Sequence, residues 1–276
     1  MTTSPVAYFI SDLHLGARYR GLDPDRETLV LRFLREKAAR ATHLFILGDL
    51  FEFWMEYRSF IPKDHFRILA ALEELARGGV EVHYLSGNHD FNLGSFFRDG
   101  MGLRVHDDEI RMELQGRRLL LLHGDGLAES DWKYRIMKKV FRHPLSNRCF
   151  RLLHPDFGMG LARFMSKASR DQHQNRPRHM DEYEAAGRAL LADGRQDILI
   201  HGHTHAAFVK EFPEGVYVNS GEWLTRMEYV AMEGGVCRIE RFTGEESLGS
   251  LPSGPSSGVG RAAPSVPTAS GEKKNP

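Results

Sequence analysis

The chain has 276 residues, 37 Lys and Arg against 37 Asp and Glu, a formal net charge of +0, and hydrophobic and charged fractions of 41% and 27%. That length supports one large domain or two small ones with a buried core. The balanced charge excludes a dedicated nucleic-acid binder, which carries a clear basic excess. The opening MTTSPVAYFISDLH has no basic region ahead of an apolar one, and no apolar run reaches the roughly 18 to 20 residues that span a bilayer. A cytoplasmic protein is expected, with surface attachment to a membrane still open. Cys149 and Cys237 have no CxxC spacing and do not read as a disulfide framework.

In chain order, VAYFI (6–10) reads as a strand, and RETLVLRFLREKAARA follows with Leu29, Phe33 and Leu34 at helical spacing. HLFIL (43–47) is a second strand, HFRILAALEELARGG a second helix with a Gly-Gly stop, and VEVHYL (80–85) a third strand. RLLLLH (118–123), DILIH (197–201) and VYVN (216–219) are further strands, and EYVAMEGGVCRIERF reads as a hairpin turning at Gly234-Gly235. This alternation points to an α/β layered sheet with mixed strands in its second half. Residues from about 127 to 185 interrupt the rhythm as a helical insertion within a domain of residues 1–245. The Ser, Gly and Pro of residues 246–276 point to a disordered tail.

Polar clusters fall just past the carboxyl ends of five strands, where α/β sheets carry functional loops. They are ISDLH (Asp12, His14), GDLFEFW (Asp49), SGNHD (Asn88, His89, Asp90), LHGD (His123, Asp125) and HGHTH (His201, His203, His205). Each alone has a bland reading: Asp-x-His as a cap, Gly-Asp as a turn, GNHD as a tight turn with Gly87 at positive φ. HGHTH is the strongest alone, since alternate residues of an extended segment put His203 and His205 on one side. Five such clusters at five strand ends are not five coincidental turns. Carboxylate, amide and imidazole donors without cysteine suit two first-row divalent ions, Mn²⁺ first, with Fe²⁺ or catalytic Zn²⁺ as alternatives. Such a pair would lower the pKa of a water and offset charge growing on a phosphoryl group, and the isolated Asp49 suits a bridging position.

D-x-H, G-D, G-N-H-D, H and G-H-x-H, in this order, resemble the calcineurin-like metallophosphoesterases over roughly residues 6 to 225. The resemblance implies two mixed β-sheets in a sandwich flanked by helices, four layers in all, with a dinuclear site at one edge. It makes Asp12, His14 and His205 ligands of one ion, Asn88, His123 and His203 ligands of the other, and Asp49 the bridge. His89 would contact the phosphate and protonate the leaving oxygen, with Asp90 orienting its ring. His201 matches no ligand position and reads as a structural or supporting residue.

GDLFEFW, LHGDGL and HGHTHAA further resemble the UDP-2,3-diacylglucosamine pyrophosphatases of lipid A synthesis. In the insertion, Trp132, Ile136, Met137, Val140 and Phe141 cover one side of a helix and Arg135, Lys138, Lys139 and Arg142 the opposite side. A plain surface helix has that pattern; two in succession beside a phosphoesterase site suit a cap that shelters acyl chains and touches anionic lipid. The resemblance places substrate contacts at Asn88, His89, Tyr134, Ser169, His173 and Arg176. It implies an acylated UDP-sugar substrate and peripheral attachment to the cytoplasmic face of the inner membrane, with neither nucleic acid nor an obligate protein partner. The best-known members have GNRD where this chain has GNHD, which leaves the two-metal chemistry intact and keeps another nucleotide pyrophosphate or phosphodiester in view as substrate. A metal-binding scaffold without catalysis is a separate alternative, against which the complete ligand set and His89 argue.

Overall fold

The computed structural model describes residues 5–17, 22, 25–161 and 180–244, apart from the side chain of Lys133. The expected tail, and Ser169, His173 and Arg176, lie outside the described residues. Strand β1 (Val6–Ile10) leads through helix α1 (Arg26–Arg32) to β2 (His43–Leu47), and α2 (Phe66–Arg77) leads to β3 (Glu81–Leu85). β1, β2, β3 and the short β4 (Arg104–His106) pair in parallel. The hairpin of β10 (Glu228–Glu233) and β11 (Val236–Arg241) joins the same sheet antiparallel to β1. Its turn residues Gly234 and Gly235 have φ of 58° and 80°, the left-handed pair that a two-residue hairpin favours.

The second sheet runs β5-β6-β7-β9-β8, formed by Glu109–Leu114, Arg117–Leu122, Ile198–His201, Gly215–Asn219 and Phe208–Phe212. Its three inner strands are parallel and its two edges antiparallel. The expected fold is therefore present, two mixed sheets with flanking helices. Alternation on the strands builds its layers. Phe9, Phe45, Leu47 and Leu85 of the first sheet share a buried cluster with Leu121, Ile200 and Val218 of the second. Ile10, Leu44, Ile46 and Tyr84 point the other way and are buried with Phe33, Leu34, Leu69 and Leu72. Leu191 of α5 (Met180–Leu191) packs with Leu120, Leu199 and Tyr217 on the outer face of the second sheet.

Two details depart from the sequence reading. The first helix loosens into a π turn at Phe33–Lys37 and closes as a 3₁₀ turn at Ala38–Arg40, with Val30 and Leu31 more buried than Leu29. Residues 180–185, expected in the insertion, form the first turns of α5, whose Tyr183 and Leu191 are buried against the body. The described insertion consists of α3 (Trp132–Arg142), α4 (Pro144–Arg151) and a helical stretch at 155–161.

Candidate active site

The five polar clusters follow β1, β2 and β3 of one sheet and β6 and β7 of the other. The parallel pairing of β1 with β2 continues past both strand ends. The main-chain N–H of His14 donates to the Asp49 carbonyl, Leu15 to Leu50, and Glu52 to Leu15, each at 2.9 Å. The first two loops are thus locked by backbone bonds. Gly87 is needed for close approach, because an added Cβ would lie 2.1 Å from Asp49 Oδ1; the positive φ of a tight turn falls at Gly48 (+86°) instead.

The ligand atoms gather in two halves. In the first, Asp12 Oδ1 lies 3.2 Å from His205 Nε2 and 3.8 Å from His14 Nε2. Asp12 Oδ2 is used structurally, accepting from Ser11 Oγ at 2.6 Å and the His203 N–H at 2.8 Å. Oδ1 is buried and has no hydrogen-bond partner, which is how an oxygen reserved for a cation is left. In the second half, Asn88 Oδ1 lies 2.9 Å from His123 Nε2 and 3.0 Å from His203 Nδ1. His123 Nδ1 donates to the Leu47 carbonyl at 2.7 Å, so in the neutral ring Nε2 carries a lone pair facing the Asn88 oxygen. Two lone pairs at that range repel unless a proton or a metal ion sits between them. Asp49 Oδ2 joins the halves, 3.7 Å from His14 Nε2 and 3.5 Å from His123 Nε2. The donor set and the orphaned oxygen fit two divalent cations.

The electrostatics agree. Burial alone would depress His123, but Asp49 outweighs it and carries the ring up to about 10. His14 rises likewise, burial being overcome by Glu52, Asp49 and Asp12. Burial would raise Asp12, yet His205 and His123 hold it well below the carboxylate range. Such a field favours positive charge at the centre of the cluster. His203, by contrast, is pushed down to about 4 by burial and by His123.

Three expectations need correction. Asp90 does not orient the His89 ring through its hydrogen bonds. Its oxygens accept from the main-chain N–H groups of Asp49, Leu50 and Gly87 and from Tyr84 Oη, fastening the second and third loops together. The His89 ring is held instead by the Glu52 carbonyl, 2.9 Å from Nδ1. His203 and His205 are not two alternate residues of an extended segment, since β7 ends at His201 and both have left-handed φ, 64° and 57°. Lys138, expected opposite the apolar side of α3, turns inward, its Nζ 2.8 Å from Asp125 Oδ2. Tyr134 Oη donates to the same oxygen at 2.8 Å. A carboxylate 3% exposed must be paired, and Tyr134 and Lys138, one turn apart, supply both partners.

Sequence reasoning also missed Asn219. Its Nδ2 donates to the Gly202 carbonyl and to Thr204 Oγ1, both at 2.8 Å, bracing the turn that carries His203 and His205. A polar residue ending a buried strand beside HGHTH was the available signal. His201 is buried and stacks on Tyr217 with ring centroids 5.0 Å apart, and burial brings it down to about 3, so it is a neutral packing residue.

A cavity of about 370 Å³ opens beside Asn88 and His89. Phe53, Met55 and Phe91 line it from the body, and Met137, Phe141, Phe150 and Leu161 from the insertion. Lys138, Arg142, Ser146 and Asn147 line it too, and such a mixture of polar groups with largely apolar walls suits an amphipathic ligand.

The family model for calcineurin-like phosphoesterases matches residues 6–207. A UDP-2,3-diacylglucosamine hydrolase of Photorhabdus laumondii is 36% identical over 206 residues, 74% of this chain and 84% of the relative. Proteins of the same name from Serratia proteamaculans and Neisseria meningitidis are 34% and 32% identical, over 74% and 79% of this chain and 83% and 89% of their own. With five loops converging on one cation-demanding cluster, the chain belongs to the calcineurin-like phosphoesterases, a family of metal-dependent hydrolases.

Proposed function

We propose that the chain hydrolyses the diphosphate of UDP-2,3-diacylglucosamine to UMP and 2,3-diacylglucosamine 1-phosphate, a step of lipid A synthesis. The observation that carries this reading is the apolar cavity opening directly beside Asn88 and His89. The names of the relatives support it. Asp12, His14 and His205 would hold one ion, Asn88, His123 and His203 the other, and Asp49 would serve both. Mn²⁺ suits these oxygen and nitrogen donors. When bound, the ions supply a nucleophile near neutral pH and offset charge on the phosphoryl oxygens.

The other steps belong to the chain's own groups. A carbonyl only accepts, so the His89 Nδ1 beside the Glu52 carbonyl carries a proton. To give a proton to the leaving oxygen through Nε2, His89 must enter as imidazolium. Tyr134, fixed by Asp125, and the cap side chains orient the sugar and acyl groups, with Ser169, His173 and Arg176 from outside the described residues.

Trp132, Ile136 and Val140 are 53%, 56% and 54% exposed and repeat every fourth residue, an apolar stripe suited to the cytoplasmic surface of the inner membrane. No helix among the described residues is long and apolar enough to cross a membrane. Mixed micelles of the substrate with purified protein and Mn²⁺ should release UMP. Hydrolysis confined to simple aryl phosphodiesters, or a rate indifferent to acyl chains, would overturn the substrate assignment in favour of a soluble nucleotide.

A further inference from the structure

We propose that Glu52 is a positioning residue for the metal centre, its carboxylate presenting His14 and its main-chain carbonyl presenting His89. The proposal rests on the dinuclear reading above. Glu52 Oε2 lies 3.4 Å from His14 Nδ1, with both side chains buried to within 6% of full enclosure. At that distance the two atoms face each other without completing a hydrogen bond, and neither makes one elsewhere. A proton on Nδ1 would therefore turn toward the carboxylate and leave the Nε2 lone pair to the cluster, where it stands 3.8 Å from Asp12 and 3.7 Å from Asp49. A carboxylate behind a ligating imidazole also makes the ligand more basic.

The same residue's carbonyl takes His89 Nδ1. The two imidazoles meet edge to face, with centroids 4.7 Å apart and planes at 86°, so one residue sets two rings that touch each other. The backbone gives Glu52 little freedom to do otherwise, since its N–H is bonded to Leu15, the neighbour of His14, in the extended β1–β2 ladder. A buried carboxylate is costly to keep charged unless it faces a cationic or hydrogen-bonding partner, and His14 is the imidazole that this one faces. Phe51 and Trp54, two near neighbours in the same loop, are fully enclosed in the core.

The test is a titration of metal-free protein with Mn²⁺, followed by electron paramagnetic resonance, for the wild type, Glu52→Gln, Glu52→Ala and His14→Ala. Circular dichroism and melting curves establish which variants fold. The wild type should take two ions. Glu52→Ala should weaken one of them by about 10- to 100-fold, the scale of losing a supporting partner, and spare the other. Glu52→Gln keeps an acceptor for Nδ1 but not the charge, and should lose affinity at the same ion by about tenfold. That ion must be the one lost in His14→Ala. If folded Glu52→Gln binds both ions as the wild type does, the proposal is overturned even where Glu52→Ala does not fold. A wild type that takes fewer than two ions would instead remove the dinuclear reading itself.

Discussion

Asp12, Asp49 and His123 are almost wholly enclosed, while Trp132, Ile136 and Val140 of α3 leave more than half of their surface open, and Leu152 just beyond α4 leaves 83%. Both regions border one cavity, yet they are fixed by different means. The loops of the candidate metal site are tied by main-chain bonds, by the Asp90 carboxylate and by close glycine contacts. The insertion is attached largely through side chains: Lys138 and Tyr134 to Asp125, Arg142 to the Asp107 carbonyl and Asp108, and Tyr183 to Asp131. Groups whose chemistry would tolerate little displacement sit on loops tied by backbone, whereas the apolar side of the cavity is carried by helices held through side chains.

The contrast can be broken most forcefully at Asp49. Asp49→Ala should lower turnover by roughly 10³-fold or more, the scale of removing a preorganised charge, with metal content falling in parallel. Mass spectrometry of the loaded protein and UMP release measure both. Gly87→Ala should come next, since its Cβ would meet the Asp49 carboxylate; overpacking of this kind costs about 1 to 3 kcal/mol, read from denaturant melts, and metal should be lost with it. On the other side of the cavity, Phe141→Ala should raise KM for long-chain substrate by about tenfold or more, from the burial energy of one aromatic side chain, and leave metal content untouched. If it removed metal as Gly87→Ala does, the two regions would not be separable.

The smallest effect tests the body alone. Burial of His83 between Phe45 and His106 brings it down to about 4 from an ordinary 6.5. Between those values the unfolded chain binds a proton that the folded chain refuses, so stability falls as pH drops from 6.5 towards 4 and is insensitive to His83 above that window. His83→Phe should flatten the pH dependence of the melting temperature across that interval.

The five clusters were legible because polar residues abruptly end apolar runs; β1 and β2 follow the sequence reading residue for residue. β5 was legible too, since Ile110, Met112 and Leu114 alternate with charged residues, and was overlooked. β4, three residues long, and β8, whose middle residues are exposed, carry too little pattern to be seen. The orientation of α3 was beyond a helical wheel: periodicity separates polar from apolar faces, and the pull of buried Asp125 on Lys138 is a contact across the fold. The role of Asp90 was hidden for the same reason, because its partners on the second loop are main-chain groups that look alike in every sequence.

Of the seven non-glycine residues described with positive φ, five are the candidate ligands Asp12, His14, Asp49, His203 and His205. Left-handed backbone costs a side-chain-bearing residue roughly 1 to 2 kcal/mol, somewhat less for Asp. Function and stability are therefore opposed at the same positions. His205→Gly should melt at or above the temperature of the wild type when both are metal-free, while losing activity, and random selection for thermal stability without metal would drift towards an inert sandwich. Ions held at these positions would make the strained conformation the favourable one.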